Sequence, residues 1–446
     1  MDEVVFSRSE GEVLQRVDAM QEAIVQLCSE LIKRPSINPN YPNIDLTRFR
    51  GGESRCNERL AENYQRIGCE VDFFEAVPGR HNLVGVLKGS GGGRSLIFNG
   101  HIDTVPYTEP DKWLAKDPFG GIVEDGRIFG RGACDMKSGI VAQLMAAQAL
   151  ADCRIKLKGD LILESVLGEE WMEHQIGTTA VIERGYRADA AVISEASAPP
   201  VTLAVIPCTS GMIWMSLTCR GKPAHFSVRD ELVRAGGGGA AVGVHAIDKA
   251  VFILNALRKL DEDWGQAKKH PLFRPGHFTL YPGAINGGPV GIPVPFQFAG
   301  YCTLEYAIWH SPDDDPDDVK KEVTDYILQV AKLDPWLSEN PPEVKWNFNW
   351  PATSIDPGHP IVQNMLAAHG RVTKGKAELR SHSQLQGFCA VDDATWLNAA
   401  GIPTVTYGPG SLHQAHSENE FVPIEDVITA TKVYAIAAMN WCGYES

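Results

Sequence analysis

Three short apolar runs in the first half of this chain each stop at an acid or an imidazole, and that pattern narrows the folds open to it. Leu96–Asn99 leads to His101, Asp160–Leu167 ends at Gly168-Glu169-Glu170, and Ala188–Ser194 ends at Glu195. Between the first two, Lys137–Ala151 is rich in Ala, Leu and Met and reads as a helix directly after Asp135, in Gly130-Arg-Gly-Ala-Cys-Asp135. Ala19–Ile32 reads as an earlier amphipathic helix and His81–Leu87 as an earlier strand. Strand and helix signals that alternate in this way build a mostly parallel α/β sheet. Polar groups then gather in the crevice beyond the carboxyl ends of its strands.

The order of elements changes in the middle of the chain. Strands are expected over Met212–Thr218, Phe278–Ala284, Phe296–Ile308 and Val344–Asn349, and helices over Val242–Leu260 and Pro316–Leu333. That order, β-α-β-β-α-β, is the ferredoxin-like split unit. The α/β pattern then returns with helices over Ile361–His369 and Ala394–Ala400, a strand over Thr404–Tyr407 and a closing helix over Ile424–Trp441. The expected organisation is a catalytic α/β domain over residues 1–207 and 352–446, interrupted by a module over 208–351. A chain of 446 residues has enough surface to bury two cores.

Charge and cysteine usage exclude several roles. The 56 acidic against 41 basic residues leave a net charge of −15, which disfavours nucleic acid or an anionic membrane as partner. No apolar stretch approaches a membrane span, and residues 1–12 carry acids rather than a signal-peptide core. The ten cysteines are scattered without CxxC spacing, which reads as reduced thiols in a cytoplasmic protein.

Taken singly, each polar group at a run's end has an ordinary explanation. His101 and Asp103 share one side of an extended chain, so Asp103 could orient the imidazole, but the pair could equally be a polar turn. Asp135 could span two cations or cap the helix that follows it. Glu169 and Glu170 are harder to bury side by side without a cation or a shared proton. His416, in Ala415-His-Ser-Glu-Asn-Glu420, could be a solvated loop residue. Together they make a set of imidazoles and carboxylates suited to zinc, with cobalt and manganese as alternatives. Five ligands suit two metals sharing one carboxylate and one water, which leaves Glu169 to take the water's proton.

These residues resemble the motif set of the aminoacylase, acetylornithine deacetylase and succinyl-diaminopimelate desuccinylase family of dinuclear metallohydrolases, which includes dipeptidases and carboxypeptidases. The resemblance covers essentially the whole chain and identifies the inserted module as a lid and dimerisation domain. It implies that Asp135 bridges the metals, that His101 and Glu195 complete one site, and that Glu170 and His416 complete the other. It further implies Glu169 as general base, Asp103 as the residue orienting His101, and a cis peptide at Asp135-Met136. His225, in Gly221-Lys-Pro-Ala-His225, matches a histidine that in relatives reaches a partner subunit's site and stabilises the oxyanion, which implies a homodimer.

Two positions depart from the family's pattern. Gly291 stands where relatives carry asparagine, and Trp309 or His310 stands where an arginine grips the substrate carboxylate. Neither reproduces the guanidinium fork, and Arg229, Arg234 and Arg380 are the candidate substitutes. The expectation is a hydrolase of a C–N amide bond in a small molecule, first an N-acyl amino acid deacylase, since the family's peptidases tend to have aspartate where Glu195 stands. A dipeptidase or carboxypeptidase, and an amidase or deaminase of an aromatic substrate, are the alternatives. A non-catalytic scaffold is the reading from another class.

Overall fold

The computed structural model describes residues 6–42, 44–198, 201–289, 295–373 and 385–445. They form two compact units, one of residues 1–209, 353–388 and 392–446, the other of 210–352 and 389–391.

The first unit is built on a nine-stranded sheet. Its order is Glu70–Val77, Arg80–Leu87, Leu161–Val166, Leu96–His101, Ala190–Ile193, Thr404–Thr406, Val205–Thr209 and Thr353–Ser354, with Leu385–Phe388 also pairing with Val205–Thr209. The four central strands, from Leu161–Val166 to Thr404–Thr406, run parallel. Their residues are buried without alternation because both faces of the sheet are covered; Leu96, Ile97 and Phe98 are all fully buried, and so are the polar Asn99 and Glu164, whose side chains hydrogen-bond each other. Leu96 and Phe98 join the large core, which includes residues of the helices Gln21–Ile32, Ser138–Asp152 and Ile424–Cys442. Ile97 points the other way, into a smaller core with Val181 and Leu397.

The flanks depart from the parallel expectation. Glu70–Val77 and Arg80–Leu87 form an antiparallel hairpin closed by Pro78-Gly79, with Gly79 at φ 80°. Such a pair needs only two connecting residues, whereas a parallel crossover needs a dozen or more. Two helices near the start escaped the periodicity reading. Arg8–Ala19 buries Val13, Val17 and Glu10 and begins with a Ser7–Glu10 capping box; Gly52–Arg66 buries several polar residues beside Cys56, Leu60 and Tyr64.

The second unit is a four-stranded antiparallel sheet in the order Leu280–Gly288, Tyr301–His310, Gly211–Arg220, Glu343–Trp350. Helices Ala246–Ala267 and Pro316–Ala331 contribute to its core, in the ferredoxin-like order. Ile213, Met215, Leu217 and Cys219 alternate into that core opposite Cys302, Leu304, Tyr306 and Ile308. No helix among the described residues is long and apolar enough to cross a membrane.

Candidate metal centre and active site

The parallel strands deliver their polar ends to one place in the first unit. His101 is the last residue of Leu96–His101, Glu195 lies just past Ala190–Ile193, and Glu169 and Glu170 open a tight turn, Glu169–Trp171, just past Leu161–Val166. Gly168 starts that turn at φ 92°, where a side chain would be strained and its Cβ would meet the Glu173 carbonyl at 2.9 Å. Asp135 sits on a wide turn over Ala133–Lys137, its peptide to Met136 is cis, and helix Ser138–Asp152 follows directly. The buried Lys137 anchors this turn by donating to the carbonyls of Leu31 and Arg34.

Five expected ligands converge. His101 Nε2 lies 2.8 Å from Glu195 Oε1 and 3.1 Å from Asp135 Oδ1. His416 Nε2 lies 3.2 Å from Asp135 Oδ2 and 3.1 Å from Glu170 Oε2. The donor atoms thus form two groups, His101–Asp135–Glu195 and Asp135–Glu170–His416, and each group fits within 4.8 Å. Asp135 offers one oxygen to each. Glu195 Oε2 is buried without a hydrogen-bond partner among the described residues, an acceptor that a cation could satisfy. Imidazole and carboxylate donors in two groups sharing one carboxylate fit a pair of divalent ions. Glu169 lies outside both groups, with Oε2 3.8 Å from His101 Nε2.

The electrostatics agree with that placement. Burial pushes the Glu169 carboxyl well above its ordinary range, and the neighbouring Glu170 and Glu195 add to the rise. Burial and Asp135 together push Glu195 up to about 8. Burial alone would lower His416, but Glu170 and Asp135 outweigh it and hold the imidazolium up to about 11. His101 is raised for the same reason, its own burial overcome by Glu169, Asp135 and Glu195. Asp135 goes the other way: burial alone would raise its carboxyl, but the two imidazoles hold it well below the usual range, so the raised groups around it are the ones that would have to give up protons to a cation.

The surroundings show what sequence reasoning missed. Asp103 was expected to orient His101 through its carboxylate, yet His101 Nδ1 lies nearer the Asp103 carbonyl, at 3.1 Å, than the carboxylate, at 3.6 Å. The carboxylate is engaged elsewhere, accepting from the backbone N–H of Gly168 and Glu170 and from the Asn38 amide. Asp103 thus fastens the Glu169–Glu170 turn. That turn is held again by a buried ion group, in which Glu53 pairs with Arg80 and Arg80 with Glu173. On the other side, Glu420 accepts from the N–H of Cys134 and Asp135 and from Arg131, fixing the turn that carries Asp135. Its position four residues beyond His416 was the available signal.

Glu420→Ala would leave Arg131, whose side chain is 4% exposed, without its partner. Removing one member of such a pair is destabilising by about 3–5 kcal/mol. A drop of several degrees in Tm, with reduced metal uptake, is the expected result; an unchanged melt would show that Glu420 does not support the turn.

His225 lies on the second unit, exposed, at the start of the short turn Phe226–Val228, with Nδ1 2.8 Å from Ser227 Oγ. His310, one of the two residues standing where arginine was expected, is buried and fills the space beside Gly211, where a Cβ would come within 2.1 Å of its Nε2. Trp309 alternates onto the half-buried face. Arg229 is exposed and without an ion pair among the described residues, whereas Arg234 is engaged by Asp230 and Glu231. Gly291 and Arg380 lie outside the described residues.

A metal-assisted hydrolase of amide C–N bonds is the class that this fold and donor set define. The family model described as Peptidase family M20/M25/M40 matches residues 97–440, and the chain belongs to that family. It is 34% identical to an N-formyl-4-amino-5-aminomethyl-2-methylpyrimidine deformylase of Bacillus subtilis (strain 168), across 99% of each chain. It is 26% identical to an acetylornithine deacetylase of Vibrio campbellii, across 94% of this chain and 99% of that protein. Among solved structures, a dipeptidase of Saccharomyces cerevisiae shares the fold with a TM-score of 0.73 at 13% identity, over 98% of this chain and 99% of that one. The family is dinuclear and metal-dependent, and this chain has two donor groups that could each hold an ion.

Proposed function

We propose that the chain removes a short acyl group, formyl first, from the amine of a small ring-bearing molecule such as an aminomethylpyrimidine. The observation that carries this reading is the 34% identity to the pyrimidine deformylase across the full length of both chains. The substrate-binding positions support it. An N-acyl amino acid needs a cationic fork for its carboxylate, and here His310 is buried in the second unit's core while Trp309 carries no charge. This moves the reading away from the N-acyl amino acid deacylase expected at first.

The ligand assignments are part of the proposal: Asp135 shared, His101 and Glu195 on one ion, Glu170 and His416 on the other. When bound, the ions supply acidity to a shared water and polarise the amide carbonyl. Zinc suits the donors best, with cobalt or manganese as alternatives. Glu169 accepts a proton from the attacking water, the C–N bond breaks, and Glu169 returns that proton to the leaving nitrogen, giving formic acid and the free amine, which leave as formate and ammonium at neutral pH. Asp103 keeps Glu169 in place by holding its turn. His225 is proposed to stabilise the oxyanion from a partner subunit of a homodimer; a monomeric mass in solution would end that part. Ten cysteines scattered along the chain without CxxC spacing suit a cytoplasmic setting.

A panel of N-formyl aminomethyl-pyrimidine, N-acetylornithine and dipeptides tests the reading with the metal-loaded protein. The formamide should show the highest kcat/KM. Preference for N-acetylornithine would return the assignment to the amino acid deacylases.

A further inference from the structure

We propose that Tyr41 and Trp171 form a subsite that receives the planar nitrogen heterocycle of the substrate amine. The inference rests on the ring-bearing substrate proposed above and adds the residues that recognise it. Trp171 directly follows Glu169 and Glu170 on the same tight turn, so its ring is tied to the candidate base and to one candidate ligand. Met172 closes that turn at φ 59°, which sets the direction in which the chain leaves. Tyr41 reaches the turn from a distant segment, its hydroxyl donating to the Glu170 carbonyl at 2.9 Å. The phenol lies within electrostatic reach of Glu170, Asp103, Glu169 and Asp135, which places it beside the centre.

The two rings meet edge to face, with centroids 4.5 Å apart and planes at 61°. In that arrangement one ring's edge covers one face of the other, and aromatic surface remains for a third ring. Both residues are only half-buried. The half-buried Trp171 has no hydrogen-bond acceptor for its indole N–H among the described residues, which leaves that donor open to a ligand. A ring nitrogen of an aminopyrimidine is a suitable acceptor. An aliphatic amino acid side chain would use neither the open ring faces nor this donor.

The test compares Trp171→Ala, Trp171→Phe and Tyr41→Leu with the metal-loaded wild type on two formamides, N-formylbenzylamine or its pyrimidine counterpart and N-formylbutylamine. Metal content and melting temperature are checked for each variant. Trp171→Ala should lower kcat/KM for the aryl formamide by roughly ten-fold or more and for the alkyl formamide by less than about three-fold. Trp171→Phe should recover most of the activity on N-formylbenzylamine, which needs only the ring face, but less of that on the pyrimidine, which also uses the indole N–H; benzylamine, as a product, should bind Trp171→Ala more weakly in calorimetry. Equal losses on both substrates, in variants that keep their metal, would overturn the subsite while leaving the deformylase reading intact. A wild type that prefers N-acyl amino acids overturns that reading and the subsite with it.

Discussion

Glu169→Gln should lower kcat by roughly two to four orders of magnitude, the range lost when a positioned general base is removed, and should leave the metal content of the protein unchanged. The change replaces one oxygen by an amide nitrogen and keeps the volume, so the turn over Gly168–Glu170 should retain the Asp103 hydrogen bonds that act on its backbone. Glu169 lies outside both ligand groups, and its side chain is only 12% exposed. Burial, with Glu170 and Glu195 close by, gives it the raised proton affinity that a base needs to take a proton and then release it to a leaving amine. The check is steady-state turnover alongside metal analysis. Activity within ten-fold of wild type would remove Glu169 from the base role, and lost metal would instead make it a ligand.

Asp135→Asn should be at least as damaging, by a different route. Asp135 Oδ1 and Oδ2 face the two imidazoles separately, at 3.1 Å and 3.2 Å. An amide can offer only one oxygen, so the variant should bind at most one ion tightly, with turnover close to background. Wild-type metal uptake should also release protons and strengthen as pH rises. The sign follows from the raised groups: Glu195, up to about 8, and His416, up to about 11, both hold protons in the metal-free chain at neutral pH. Each must lose its proton to ligate, so a lower proton concentration favours the bound state. Calorimetric titrations in buffers of different ionisation heat measure the release directly. Full occupancy of both positions in Asp135→Asn, or uptake indifferent to pH, would contradict a shared carboxylate.

The parts of this centre legible in the sequence are those carried by strands. His101, Glu169, Glu170 and Glu195 end largely apolar runs, where polar residues are easiest to read, whereas Asn99 and Glu164 stay buried inside the strands by hydrogen-bonding each other. Asp135 was readable from its place before an Ala-rich helix. The supporting groups were not, because their meaning depends on segments far apart in the chain. Asn38 meets Asp103 across 65 positions, and Glu420 meets Cys134 and Asp135 across 286 and 285. Arg80, Glu53 and Glu173 look in the sequence like ordinary surface charges, yet Arg80 and Glu53 are buried against each other. The antiparallel flank of the large sheet was hidden as well, since a two-residue turn at Pro78-Gly79 leaves little trace in hydrophobic patterning. His310 shows the limit of reading a role from position: strand alternation turns it onto the buried face of its sheet.

The two imidazoles differ sharply in their access to solvent: the His101 side chain is 2% exposed, whereas that of His416 is 56% exposed, on a loop residue at φ 58°. An ion held between Asp135, Glu170 and His416 would therefore exchange with the medium more readily than one enclosed between His101, Asp135 and Glu195, and the outer position would be the first to empty as the cation is withdrawn.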